Sequence, residues 1–429
     1  MSLPESLAAW LAHLEAQHPQ GSAGIALGLT RVQAVKAALC QRQSVPIVTV
    51  AGTNGKGSTC AMLERILGCA GYRVGLYTSP HLLSYRERIR VCGADIDEAS
   101  LCAAFGRVEA ARQGSGNVSL TYFEFGTLAA WECFAQQQVD VVILEVGLGG
   151  RLDAVNCYDA DCAIVSSVDI DHTDYLGSTR EAIGFEKAGI FRAGRPAICG
   201  DSTPPQSLVA HAAAVGADLQ VIGRDFGYRS QAGQWQFWGR AGKKSGLAHP
   251  ALRGAHQLSN ASTVLCALGT LSERLPVAMQ DIRRGLAEVE LTGRFEVLPG
   301  RPTVVLDVAH NPQAARSLAA NLGDMAFHPQ TWAVFGMLRD KDIGAVVREL
   351  KDRVTRWLPC SLEGIRAADA ALLTRILGDE GVAGPLPRFA TPAEAFRHAR
   401  ESANESDRIV VFGSFLTVAD VLRELARKT

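Results

Sequence analysis

The sequence predicts a two-domain α/β protein. Its N-terminal domain has a mostly parallel sheet opened by a P-loop and carries a small antiparallel patch; a smaller Rossmann-like α/β domain follows. Three observations predict this. At 429 residues the chain exceeds one ordinary core. A strand, a Gly-rich turn, a helix and a second strand succeed one another from Pro46 to Tyr77. A second strand–helix alternation starts near Pro299.

The elements follow in order. Met1 to Gln17 reads as a short amphipathic helix with no basic leader region. Pro46–Ala51 is β-rich and ends at Gly52. Leu63, Ile66, Leu67 and Ala70 then recur at helical spacing, with Gly71 as a stop. Arg73–Tyr77 is the next strand. Val139–Val146 is a near-continuous apolar run, as expected of a central parallel strand, and Ala163–Val168 and Pro196–Cys199 are two more. From Leu219 to Leu252, Gly, Trp and Gln dominate in short alternating pieces, which predicts an antiparallel patch added to the main sheet. Leu258–Leu271 returns to helical periodicity. The second block reads as strand Thr303–Val308, helix Ala314–Leu322, strand Trp332–Phe335, helix Ile343–Leu350, strand Arg408–Phe412 and a helix from Leu416. Pro299 and Gly300 mark the hinge, so the expected domains are 1–297 and 298–429.

Composition narrows the function classes. A formal net charge of -1 gives no basic field to hold nucleic acid. The 11 cysteines form no Cys-x-x-Cys pair and their number is odd, which predicts reduced thiols in a cytoplasm. No apolar run reaches membrane-spanning length. A monomer working on small molecules is expected.

The chemistry centres on Gly52-Thr53-Asn54-Gly55-Lys56-Gly57-Ser58. Amides of such a turn can converge on phosphate oxygens, and the following helix adds its positive end. Lys56 supplies a point charge and Ser58 a hydroxyl for Mg²⁺. The spacing departs from the usual G-x-x-x-x-G-K-[ST], because Lys56 lies between two glycines and the hydroxyl comes two residues later. The competing reading is an ordinary Gly-rich βα turn.

G-T-N-G-K-G-[ST] resembles the Mur-ligase family, and within it the folylpolyglutamate and dihydrofolate synthases. The resemblance continues through Tyr77–Leu82, Glu87–Arg90, Leu144–Asp153, Asp171–Asp174, Glu186–Ile190, Gly293–Phe295, Asp307–Pro312 and Gly413–Phe415. It runs in order from near residue 26 to near residue 415, and several of its motifs are long and unusual.

Taken with local chemistry, the resemblance implies roles. Glu145 ends an apolar strand, where ligands gather in parallel sheets; otherwise it is a cap or a salt-bridge partner. His172, amid Asp169, Asp171 and Asp174, reads alone as a surface or capping residue. By resemblance Ser79, Glu145 and His172 bind Mg²⁺. Lys187 reads plainly as a solvated helix lysine; the resemblance makes it an N6-carboxylysine, formed with CO₂ and able to help order Mg²⁺. That reaction requires a depressed lysine pKa. Thr53 to Ser58, Asn260, Arg294 and Asp307 are expected to bind ATP, with Asn260 on adenine and Arg294 on phosphates, in a cleft completed by domain closure. His310 is expected to handle phosphate; its plain reading is a capping residue before Asn311. Lys56, Lys187, Arg294 and His310 form the expected catalytic set.

Ala26, Leu27, Gly28 and Leu29, together with Thr121, Tyr122, Phe123 and Glu124 and with Leu152, Asp153 and Ala154, match segments that hold a pterin in the family. Tyr122 and Phe123 could cover a flat heterocycle and Glu124 accept hydrogen bonds, or all could be core packing. Ala26 stands where Asp is expected and Val155 where Thr is usual, which leaves substrate preference open. The implied reaction is ATP-dependent ligation of L-glutamate to dihydropteroate and to reduced folates through an acyl phosphate. The alternative is a murein-precursor or other Mur-type amino acid ligase.

Overall fold

The computed structural model describes residues 3–17, 24–41, 44–231 and 233–427. It divides into two compact units: Met1–Ala251 with Leu258–Val289, and Leu252–Gln257 with Glu290–Thr429.

The first unit is built on an eight-stranded sheet. Its strands are β1 (Ile47–Ala51), β2 (Val74–Tyr77), β3 (Ile89–Val91), β4 (Ala94–Asp95), β5 (Val141–Glu145), β6 (Cys162–Val165), β7 (Pro196–Cys199) and β8 (Asp218–Val221), in the order β4-β3-β2-β5-β1-β6-β7-β8. All pairings from β2 to β8 are parallel, and β3 and β4 join the β2 edge antiparallel. β1, β2, β5 and β6 are buried throughout, which is why apolar residues dominate them, with Thr49 and Glu145 as the polar exceptions. β1 lies between β5 and β6, and sequence order reverses across it. Ligands bind at such a switch point, beyond the carboxyl ends of the strands.

Contrary to the expectation from sequence, the antiparallel patch is not added to this sheet. β9 (Gly227–Gln231), β10 (Gln234–Gly239) and β11 (Gly242–Leu247) form a separate three-stranded sheet. Phe226, Trp235, Phe237 and Leu247 are buried there. The N-terminal helix spans Leu7–Gln17 and buries Trp10 and Leu14; Met1 and Ser2, included in that expectation, lie outside the described residues.

The second unit has a five-stranded sheet. β12 (Glu296–Leu298) pairs antiparallel with β13 (Thr303–Leu306); β14 (Thr331–Phe335), β15 (Arg356–Pro359) and β16 (Arg408–Phe412) continue it in parallel, in the order β12-β13-β16-β14-β15. β12 spans the sequence-expected boundary at 297/298. Phe335, Trp357 and Phe412 pack ring against ring in its core.

Candidate active site

The loop after β1 is locked to the loop after β6. Thr53 N donates to Ser167 O at 2.8 Å, and Asn54 N to Ser167 Oγ at 3.0 Å. Ser166 Oγ donates to Asn54 O at 2.7 Å. Thr53 Oγ1 donates to Asp169 O, and Asp169 N to Thr53 Oγ1, both at 3.0 Å. A Cβ at Gly52 would stand 1.9 Å from Ser166 Oγ, so only glycine lets the two loops approach this closely. Gly55 has φ +85 and precedes the helix Lys56–Cys69 with no side-chain cap on its first amides. A helix start of this kind attracts anions. Lys56 Nζ donates to Gly52 O at 2.9 Å and Thr53 O at 3.2 Å, which keeps its charge over the turn. Ser58 is buried in the first turn. Asn260 faces the loop: a Cβ on Gly55 would meet its Oδ1 at 2.8 Å.

Glu145 ends β5, buried, and its Oε2 accepts from Ser79 N at 3.2 Å. Two of the expected metal ligands therefore touch. His172 adopts φ +52 and lies 4.0 Å from Asp171. Among the described residues no three His, Cys, Asp or Glu side chains converge as a metal-holding group.

Lys187 is no solvated lysine. It lies in the helix Arg180–Ala188 and is only 4% exposed. Burial pushes its ammonium down to about 7; Lys56 adds to the shift, and Asp171 and Asp153 oppose it. The helix end reaches this depth because Gly150 has no side chain: a Cβ there would lie 2.9 Å from Glu186 O and 3.0 Å from Lys187 O. Arg151 grips the same helix through Glu186 Oε1, with Nε at 3.1 Å and Nη2 at 2.8 Å.

The three expected folate segments meet. Gly28 N donates to Leu152 O at 3.1 Å. Arg31 donates to Ala26 O and pairs with Glu124 Oε1 at 2.9 Å, so it links the first segment to the second. Thr121 and Glu124 form a reciprocal capping box on the helix Tyr122–Gln136, with Thr121 N donating to Glu124 Oε2 at 2.7 Å. Glu124 is thus engaged on both oxygens and orders the segment. Phe123 lies 5.6 Å from the Tyr77 ring, and a Cβ on Gly147 would meet both Phe123 and Asp153 Oδ2. Asp153 is buried and caps the turn Ala154–Cys157; it accepts from Leu148 N at 2.8 Å and Val155 N at 3.0 Å. Burial pushes its carboxyl up to about 7 against these bonds and Lys56.

Sequence reasoning missed Arg31, Ser166 and Ser167. The serines were read as strand, but β6 stops at Val165 and their hydroxyls turn to the phosphate loop. Arg31 sits two residues beyond Leu29, yet nothing in the sequence pairs it with Glu124.

In the second unit Arg294, Asp307 and His310 cluster. Asp307 follows β13 and accepts from Phe295 N at 2.9 Å and Ala309 N at 2.7 Å. Burial pushes it up to about 6, with Arg294 opposing. The Arg294 guanidinium stands 5.2 Å from the Phe415 ring, and the His310 ring 6.2 Å from it. His310 Nδ1 lies 2.8 Å from Val308 O; a carbonyl only accepts, so Nδ1 carries the proton. Capping of the helix Pro312–Asp324 falls to Asn311, whose Oδ1 accepts from Ala314 N at 2.9 Å, not to His310.

Comparison with known proteins shows the family. Residues 50–268 match the Mur ligase middle domain, and residues 293–415 the Mur ligase glutamate ligase domain. The dihydrofolate synthase/folylpolyglutamate synthase of Escherichia coli K12 is 45% identical over 417 residues, covering 97% of this chain and 94% of that protein. The E. coli FolC structure in complex with DHPP and ADP superposes with a TM-score of 0.93 at 44% identity, covering 100% of both chains. A bifunctional folylpolyglutamate synthase/dihydrofolate synthase with Mn, AMPPNP and L-glutamate bound gives a TM-score of 0.90 at 44% identity, covering 99% of this chain and 100% of that one. The chain belongs to the Mur ligase family, among its dihydrofolate synthase/folylpolyglutamate synthases.

Proposed function

We propose that this chain is an ATP-dependent ligase that joins L-glutamate to dihydropteroate, forming dihydrofolate, and to reduced folates, extending their glutamate chain. One observation carries the reading: a single unit holds a phosphate loop, the Ser79–Glu145 contact and the three folate segments joined through Arg31 and Leu152. The relatives' ligands, an adenine nucleotide, Mn, DHPP and L-glutamate, are the ones such a site would use.

A free carboxylate is a poor acyl donor. In the proposed reaction a carboxylate oxygen of the substrate attacks the γ-phosphorus of ATP and ADP leaves. The glutamate amine then attacks the acyl phosphate carbon, and phosphate departs as the amine sheds a proton. Thr53 to Ser58 present amides to the phosphates, Lys56 offsets charge on the transferring group, and Asn260 is assigned to adenine. From the second unit we assign Arg294 to phosphate charge, Asp307 to the nucleotide and His310, with Nε2 as its unprotonated nitrogen when neutral, to phosphate handling. Ser58, Ser79 and Glu145 offer hard oxygen donors that suit Mg²⁺, with His172 a less typical fourth. When bound, the cation would draw charge from the phosphoryl oxygens. Lys187 is assigned as an N6-carboxylysine: its burial favours the neutral amine that CO₂ requires, and the product would be an anionic oxygen donor. Ala26 to Leu29, Thr121 to Glu124 and Leu152 to Ala154 hold the pterin. Eleven free thiols suit a cytoplasmic setting.

The test offers purified protein Mg-ATP and L-glutamate with dihydropteroate or, separately, tetrahydrofolate. ADP release dependent on each supports the reading; release with neither sinks it, and release with a murein precursor would favour the other branch of the family.

A further inference from the structure

A phosphate-binding turn works when its amides face the anion and its carbonyls do not, because a carbonyl oxygen turned inward repels phosphate charge. In the loop after β1 three carbonyls are held by the loop and its helix. Gly52 O and Thr53 O accept from Lys56 Nζ at 2.9 and 3.2 Å. Gly55 O accepts from Thr59 N at 2.9 Å, at the start of the helix Lys56–Cys69. The fourth, Asn54 O, is held from a distant segment: Ser166 Oγ donates to it at 2.7 Å and Ser167 Oγ at 3.0 Å.

The loop's own backbone does not fix that peptide. A peptide plane turns over by a joint change in ψ of one residue and φ of the next. The next residue is Gly55, at φ +85, and glycine takes either sign of φ without steric cost. Something outside the loop has to choose the side on which Asn54 O lies.

The two serines are built to choose it. A carbonyl oxygen has two lone pairs, and two hydroxyls meet them. Ser166 Oγ has one proton, and Asn54 O at 2.7 Å is nearer than Ala51 O at 3.2 Å. Ser167 Oγ spends both its roles on one residue, accepting from Asn54 N and donating to Asn54 O, each at 3.0 Å. Ser166 is buried directly after β6, and its amide extends the β1–β6 pairing by donating to Ala51 O at 2.9 Å. Its hydroxyl is therefore carried by the sheet. The 54–55 peptide is trans, so the N–H of Gly55 points opposite to Asn54 O, away from both serines.

We propose that Ser166 and Ser167 are positioning residues of the nucleotide site; this rests on the ligase reading above. Together they hold the 54–55 peptide with its carbonyl on the β6 side, so that the Gly55 amide faces the phosphates with those of the helix start. Neither serine makes or breaks a covalent bond. Their effect falls on the phosphate-bearing ligand and spares the folate and amino acid substrates.

The test titrates Mg-ADP by calorimetry into wild type, Ser166→Ala, Ser167→Ala, the double alanine variant and Ser167→Thr, with circular dichroism and a thermal midpoint to follow folding. KM is measured for ATP, dihydropteroate and L-glutamate. Each single alanine should weaken Mg-ADP about three- to tenfold. The double variant should lose more than the product of the two, because either hydroxyl alone still holds the plane. Ser167→Thr keeps the hydroxyl and should bind within about twofold of wild type. KM for ATP should rise with the loss of Mg-ADP affinity, while KM for dihydropteroate and for L-glutamate stays unchanged. Alanine variants that lose thermal stability yet bind Mg-ADP like wild type would show a purely structural role and overturn the proposal. Equal losses for Mg-ADP and dihydropteroate would do the same, as would a Ser167→Thr protein no better than Ser167→Ala. If the double variant does not fold, Ser167→Ala against Ser167→Thr decides alone. A wild type that binds no Mg-ADP would instead remove the ligase reading, whatever the variants show.

Discussion

Gly150 gives the sharpest test of how the first unit builds its site. It is not among the positive-φ glycines, so alanine is free of backbone strain there and the consequence is purely steric. The new Cβ would lie 2.9 Å from Glu186 O, 3.0 Å from Lys187 O and 3.2 Å from Ile190 Cγ2. Comfortable heavy-atom contacts begin near ~3.5 Å, so the end of the helix Arg180–Ala188 must retreat by about 0.5 Å. Two of the three obstacles are backbone atoms, which no rotamer change relieves. Overpacking of this kind costs about 1–3 kcal/mol. The retreating segment carries Lys187, and a misplacement of ~1 Å at a reacting centre costs on the order of a hundredfold, so a half-ångström shift should cost about tenfold in kcat. Gly150→Ala is assayed for glutamate ligation and thermal midpoint beside Gly68→Ala. Gly68 lies in the helix Lys56–Cys69 with nothing within 4 Å of its added Cβ. The control should gain roughly 0.5–1 kcal/mol and keep its kcat. A Gly150→Ala protein with wild-type midpoint and kcat would refute the claim that close approach at this glycine places Lys187.

Lys56→Ala should lower kcat by about 10²–10³ while the far-UV spectrum is unchanged, since Lys56 Nζ bonds carbonyls of its own turn; retained turnover would remove Lys56 from the site. Thr121→Val removes the hydroxyl acceptor of the capping box and should cost about 1 kcal/mol in urea unfolding while raising KM for dihydropteroate; a change in neither would detach this cap from the folate segment. Lys187 is held down to about 7, whereas in the unfolded chain it should titrate near ~10.4. Between these values the unfolded chain binds more protons, so this residue's contribution makes stability rise with pH through that window and levels off below it. In bicarbonate-free buffer, Lys187→Met should therefore gain on the order of 2 kcal/mol relative to wild type between pH 9 and pH 7, however well Met packs. An equal stability difference at both pH values would show that Lys187 is not held neutral by burial.

Hydrophobic density made β1, β5 and β7 legible, because strands covered on both faces are mostly apolar. The edge hairpin of β3 and β4 left no such trace: it is short and carries Arg90 and Asp95. The strands β9, β10 and β11 were visible as strands, but which sheet they join depends on distant partners that no local pattern records. β15 and the helices Ala370–Asp379 and Pro392–Ser402 were also passed over. In the site, the phosphate loop was visible because its glycines and Lys56 are contiguous. Arg31 with Glu124, and Ser166 with Asn54, were not, because each pair meets across about a hundred residues of chain.

The electrostatics of the first unit run through Lys56. Burial drives Asp153 and Lys187 toward their neutral forms, and both reach about 7. The Lys56 charge then acts on them in opposite senses: it favours the Asp153 carboxylate and disfavours the Lys187 ammonium. Asp153 in turn favours the Lys187 ammonium. Burial sets both values, and the field of the Lys56 charge adjusts them in opposite senses. A polyanionic phosphate drawn to Lys56 would offset that field and shift both groups toward their protonated forms, whereas a cation at Glu145 would push Lys187 the other way. The lysine proposed to hold the nucleotide thus also favours the neutral amine at Lys187, the form that the proposed reaction with CO₂ requires.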